Sequence, residues 1–128
     1  MLSITSFYAA LVALVFLILS ARVILYRNRN RLSLGDEGDR ELLKRIRAQG
    51  NCAEYAPIGL ILLALTEVQG APTLAVHALG LTLLAGRAIH GWGFSRSHSA
   101  LRPRVLGMVL TLIMIGVSAM GLMLHGLI

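Results

Sequence analysis

The sequence predicts an all-α membrane protein, a single up-down bundle of four transmembrane helices with both termini on the non-cytoplasmic side. Three observations carry that reading. The 128 residues are 56% hydrophobic and only 14% charged, with a mean hydropathy of +0.75, too apolar for a soluble domain of this length. Four apolar runs are each long enough to cross a hydrocarbon core of about 30 Å at about 1.5 Å per helical residue. All twelve Lys and Arg gather at one end of those runs, which the positive-inside rule assigns to the cytoplasm. The formal charge of +6 would suggest nucleic acid in a soluble protein. Here the basic residues flank apolar spans and little soluble surface remains to form a nucleic-acid groove.

The first apolar run, residues 3–26, is broken only by small polar residues and Arg22. No Lys or Arg precedes it, so it reads as a membrane helix rather than a cleaved leader. A polar loop follows, with Arg27, Arg29 and Arg31 and then Gly35-Asp36-Glu37-Gly38-Asp39. Asp36 or Asp39 suits the N-cap of the second helix and Glu41 its first turn, giving a helix over about 39–68 whose first turns stand clear of the hydrocarbon. Gln69-Gly70-Ala71-Pro72 is a tight turn, and Pro72 fits the first position of a third helix over 72–94. A second polar loop around Arg96 and His98 leads to Pro103, which can open a fourth helix over 103–127. Small residues recur in the last two helices, among them Gly80, Gly86, Gly107 and Gly116. They permit close helix contact, either within one bundle or between subunits.

Cys52 is the one cysteine, which excludes an internal disulfide and a Cys-rich metal site. It reads as a small packing residue. His98 and His125 have no metal spacing, so no metal site is expected. His77 is expected to be structural, with Glu67 as a partner. Trp92 and Tyr26 suit the interfacial aromatic belt.

Chemistry concentrates where the charged start of the second helix runs into its apolar part, at Arg47-Ala-Gln-Gly-Asn51-Cys-Ala-Glu54-Tyr55-Ala-Pro57. Arg47, Asn51 and Glu54 stand at i, i+4 and i+7 and share one helix face. A lone charge in lipid is costly, so this face is expected to look inward, toward protein or water. On composition alone it is either a structural network, with Arg47 neutralising Glu54, or a ligand site.

This stretch resembles the second-helix signature of the MAPEG family, the membrane-associated proteins of eicosanoid and glutathione metabolism. Weaker resemblance extends through Gly35-Asp-Glu-Gly38 and Gly86-Arg-Ala-Ile-His90, and the look is that of small bacterial members. The resemblance implies a homotrimer in the lipid bilayer, in a bacterial inner membrane with the polar loops cytoplasmic. It also implies glutathione as co-substrate, held between neighbouring subunits, and a lipophilic small molecule as the second substrate. The implied reaction is attack of the glutathione thiolate on a lipophilic electrophile, or peroxide reduction.

Residue by residue, the resemblance assigns Arg47 and Asn51 to carboxylate or amide groups of glutathione and Glu54 to its γ-glutamyl amine. These pairings suit a bidentate guanidinium and a carboxylate facing an ammonium. Gln49 and Tyr55 match family positions of similar role. Arg87 and His90 also match, where the family has Arg and then His or Tyr; the bland alternative is a snorkelling Arg87 and a His90 satisfied in the core. Phe94 departs from the pattern, since many eicosanoid members carry a Tyr there whose hydroxyl reaches the ligand. Gly50 replaces a basic residue of some prostaglandin-synthesising relatives. Arg104 first and Arg102 second match the arginine that stabilises the thiolate, or else they anchor topology. Two rivals stand beside this reading: a non-catalytic glutathione-binding or structural member, and a small proton-coupled transporter using Glu54.

Overall fold

A computed structural model describes residues 1–96 and 100–127; part of the second polar loop, His98 and Ser99 included, lies outside the described residues. The described residues form four helices: α1 Ser3–Asn30, α2 Arg40–Val68, α3 Thr73–Ser95 and α4 Leu101–His125. All four are long and apolar enough to span a membrane. Successive helices run antiparallel. The start of α1 meets the end of α2 through Glu67, and α3 meets α4 from Gly86 against Thr111 to Gly93 against Arg104.

The ends of the helices follow local chemistry. α1 continues past Tyr26 to Asn30 because Arg27 and Arg29 extend it as a polar turn beyond the apolar run. Asp39 is the N-cap of α2, its carboxylate accepting from the Leu42 N–H at 3.0 Å, as its position in the sequence predicts. The Tyr26 hydroxyl donates to the same carboxylate at 2.9 Å, tying the end of α1 to the start of α2. α2 continues through Pro57, which has no N–H to give the carbonyl four residues earlier. Pro72 takes the cap position rather than the first turn, with Thr73 opening α3. α4 begins two residues before Pro103, whose missing N–H costs nothing in a first turn.

At the opposite end Glu67 does work that the sequence does not announce. Its carboxylate accepts the N–H groups of Ile4 at 3.0 Å and Thr5 at 2.7 Å. α1 has no side-chain cap of its own, so the end of α2 satisfies its orphan donors and faces its positive dipole end. The expected pairing of Glu67 with His77 is therefore replaced. His77 Nδ1 shares a hydrogen bond with the Tyr8 hydroxyl at 3.2 Å.

Two apolar clusters fill the bundle. Tyr8, Leu63, Val76, Leu83 and Met114 form one, and Val12, Leu19, Ala48, Cys52 and Ala56 the other. Cys52 is a buried free thiol, as its packing role predicts. α3 and α4 touch backbone to backbone. A Cβ on Gly107 would lie 2.5 Å from the His90 N and 2.6 Å from the Gly86 O, so only glycine permits this crossing. Gly116 and Gly121, by contrast, have nothing within 4 Å of a built Cβ. Leu42, Leu63, Leu83 and Met114 are all fully buried, yet the largest fully buried side chain among the described residues is an arginine.

Candidate functional site

That arginine is Arg87, 1% exposed. Gly86 beside it brings α4 close, and the guanidinium lies across to α4 and α2. Its Nε and Nη2 donate to Thr111 Oγ1 at 2.9 and 2.7 Å. Its Nη1 donates to Asn51 Oδ1 at 2.5 Å and, more weakly, to the Asn51 carbonyl at 3.4 Å. Gly107 O at 3.5 Å and Met108 Sδ at 3.8 Å complete the shell. The Tyr55 ring lies 5.7 Å away. Thr111 in turn donates to Gly107 O at 2.9 Å. Every partner is neutral, and among the described residues no carboxylate pairs with Arg87. A buried cation held by neutral acceptors is poorly compensated by Coulomb terms and relies on hydrogen bonds alone.

The same end of the bundle holds a second cation. Arg104, in the first turn of α4, sets its guanidinium 3.9 Å over the Phe94 ring, a cation–π contact. Phe94 meets His90 edge-on at 5.2 Å between ring centroids. His90 is buried and feels the positive charge of both Arg87 and Arg104. The Nε of Arg104 is buried without a hydrogen-bond partner. So a donor already removed from water is left unspent at the point where the two arginines flank one imidazole.

Of the residues singled out from the sequence, the structure brings Asn51, Tyr55, Arg87, His90 and Arg104 into one connected group. Gln49 is half-buried beside it, with no side-chain hydrogen bond among the described residues. Arg102 is exposed. Arg47 and Glu54 depart from expectation. They share a face with Asn51, but both are exposed. Neither has a hydrogen bond or ion pair among the described residues, and they do not neutralise each other. The face therefore does not look into the bundle of its own chain. Helical spacing fixes which residues lie together, while the packing of α2 against α1 and α3 uses the adjacent stripe of Ala48, Cys52 and Ala56 and turns Arg47 and Glu54 outward.

Sequence reasoning missed Thr111 and Met108, and it marked Gly107 only for close helix contact. The available signal was the lone threonine four residues after a glycine, in the uncharged stretch of α4 that follows Arg104.

Two comparisons bear on this arrangement. The MAPEG family matches residues 5–124. The chain is 41% identical over 108 residues to "Inner membrane protein YecN" of Escherichia coli K12, covering 84% of this chain and 81% of the relative. The protein of the same name from Escherichia coli O6:H1 matches to the same extent.

Proposed function

The chain belongs to the MAPEG family, and from that premise we propose that it is a membrane-bound, glutathione-dependent transferase or peroxidase acting on lipophilic electrophiles. It is a multi-pass membrane protein, and the relatives' description as inner membrane proteins supports the bacterial inner membrane as its place.

One observation carries the reading. Arg47 and Glu54 are opposite charges on one face of a membrane helix, exposed and unpartnered among the described residues. Seven residues separate them, about 10.5 Å along the axis at 1.5 Å per residue. An extended tripeptide spans about 10 Å. Glutathione has a carboxylate at its glycyl end and an ammonium at its γ-glutamyl end, which fit Arg47 and Glu54 in that order. Asn51 stands between them. Arg87 takes its Oδ1 and so fixes the amide, whose Nδ2 meets, among the described residues, only the Met108 sulfur, at 3.8 Å, a weak acceptor. Arg87 is on this account a positioning residue for Asn51.

Arg104 is favoured over Arg102 for the thiol. A thiol of pKa about 8.5 is mostly protonated at neutral pH, and a neighbouring cation favours its thiolate. Arg104 has a buried, unspent Nε–H to offer, whereas Arg102 is exposed. With an electrophile such as 1-chloro-2,4-dinitrobenzene, the thiolate sulfur forms a bond to the ring carbon. Chloride then leaves with the bonding pair, and the thiol proton passes to solvent. Lipophilic substrate reaches such a site sideways from the bilayer.

The exposure of Glu54 also supports the homotrimer. A carboxylate turned to lipid at this depth is expensive, and a neighbouring subunit closing over the Arg47–Glu54 face removes that cost while completing the site. A second reading rests on Phe94: where many eicosanoid members have a tyrosine hydroxyl, this ring is spent on Arg104 and His90, which favours binding without turnover. Steady-state assay in detergent with glutathione and 1-chloro-2,4-dinitrobenzene tests the choice. Saturable turnover is expected from particles of three chains by light scattering. Glutathione binding without turnover selects the second reading, and absence of both contradicts each.

A further inference from the structure

Away from the Arg87 group, α1 and α3 run parallel and leave a groove of about 320 Å³ on the outer face of the bundle. Val15, Ile18 and Arg22 line it from α1, and Ala88, Gly91 and Ser95 from α3. Its walls are apolar, and Leu19 seats against Gly91 at its floor, where a Cβ would come within 3.1 Å of the leucine. Ile18 is 62% exposed and Trp92, on the rim, 54%, so the groove opens outward at hydrocarbon depth.

The groove ends in positive charge. From Leu2 to Arg22 is about 20 residues, about 30 Å, the thickness of the hydrocarbon core. Arg22 therefore stands at the boundary between acyl chains and headgroups. Its Nη1 donates to Ser95 Oγ, and Ser95 donates onward to Gly91 O at 2.7 Å. The guanidinium is thus oriented by one bond, with most of its five N–H donors unspent. Arg96 stacks 4.7 Å over the Trp92 ring at the rim. Arg45 lies near enough to repel Arg22, and its Nε is buried without a partner. Glu41 offsets this only in part, being half exposed and ion-paired to Lys44. Among the described residues no carboxylate pairs with Arg22, Arg45 or Arg96.

We propose that this α1–α3 groove is a binding site for an anionic phospholipid of the leaflet at the basic end of the bundle. The phosphate lies between Arg22 and Arg96, and one acyl chain runs along Val15, Ile18 and Ala88. Arginine presents a fork of donors that matches phosphate oxygens, and basic pockets between membrane helices recognise anionic headgroups in this way. Phosphatidylglycerol is preferred to phosphatidylethanolamine because its headgroup brings no ammonium into a cluster of guanidinium groups. The lipid supplements the counter-charge that Glu41 and Asp39 give Arg22 and Arg45 only in part, and it braces the α1–α3 seam independently of any glutathione chemistry.

Native mass spectrometry of the detergent-solubilised protein, titrated with dioleoyl phosphatidylglycerol or dioleoyl phosphatidylethanolamine, tests this. Wild-type protein should bind phosphatidylglycerol about twenty-five-fold more tightly, with Arg22 and Arg96 each contributing about fivefold. Arg22→Gln and Arg96→Gln should each remove about fivefold for phosphatidylglycerol and little for phosphatidylethanolamine. Ala88→Trp, which fills the groove from its lipid side, should weaken both lipids. Arg96 is exposed, so R96Q reads the headgroup contact even where R22Q fails to fold. Equal affinity for the two lipids overturns the proposal, as does unchanged phosphatidylglycerol binding in R96Q. Displacement by glycerol 3-phosphate at similar concentration would reveal a site for free phosphate. Absence of bound lipid from intact oligomers would reveal a groove covered by a second copy. Either result also overturns it.

Discussion

Thr111 shows how much one hydroxyl does in this bundle. It accepts twice from Arg87 and donates once to the Gly107 carbonyl, which exhausts its one donor and two lone pairs. Thr111→Val keeps the shape and leaves two guanidinium N–H groups without an acceptor. A hydrogen bond to a charged group is worth about 1.5–3 kcal/mol, so thermal unfolding in detergent should shift down by several degrees, with Thr111→Ser largely spared. An unchanged midpoint in Thr111→Val contradicts the network. This residue was not legible in the sequence for a physical reason. A threonine in an apolar helix ordinarily bonds the carbonyl four residues back, and Thr111 does that as well. Only the close approach of α3 shows that its lone pairs also hold Arg87. Arg87 and Asn51 were legible as polar residues needing partners in lipid, but sequence spacing gave no sign that they partner each other.

The helices themselves were more legible than their contacts. Apolar length places all four, and Asp39 is a capping residue at the start of a charged segment. Its carboxyl is held below the usual carboxylate range, first by the Leu42 N–H it accepts and also by the Tyr26 hydroxyl. A group whose folded pKa is depressed contributes its full stability above its unfolded pKa, about 3.9, and loses it as pH falls through the folded value. Amide exchange at Leu42 and Leu43 should therefore accelerate, beyond the intrinsic trend, as pH drops below about 4. Asp39→Asn should flatten that dependence, and an equally steep response in the variant contradicts the assignment. Between helices, the α3–α4 crossing rests on Gly86 and Gly107. Gly107→Ala forces a Cβ into the backbone of His90 and Gly86 and should cost about 1–3 kcal/mol. Gly116→Ala, with open space around it, should be neutral or slightly stabilising through helix propensity. Equal effects of the two would mean that the close crossing does not carry stability. The sequence marked both glycines alike, because composition does not tell an inward face from an outward one.

For the whole molecule the same limit decides what could be read from sequence. The one-sided distribution of twelve basic residues predicts a cytoplasmic α1–α2 loop and an α2–α3 turn on the other side. Cysteines at Leu34 and Gln69, both exposed, in a Cys52→Ser background should label from the cytoplasmic and outer sides respectively, and the reverse pattern refutes the orientation. Periodicity put Arg47, Asn51 and Glu54 on one stripe, but spacing alone does not say whether that stripe turns into its own bundle or outward. That stripe is the centre of the account. If Arg47 and Glu54 hold the two ends of glutathione, Arg47→Ala and Glu54→Gln each remove a charge-assisted hydrogen bond worth about 1.5–3 kcal/mol, roughly ten- to a hundredfold in affinity. Being exposed in the single chain, they should leave its folding intact. The most direct measurement is titration calorimetry of glutathione binding to each variant, paired with thermal unfolding of the unliganded oligomer in the same detergent. Affinity should fall ten- to a hundredfold while the unliganded oligomer unfolds at the wild-type temperature. Wild-type affinity in both variants, or loss of the folded oligomer in place of loss of binding, would contradict the assignment.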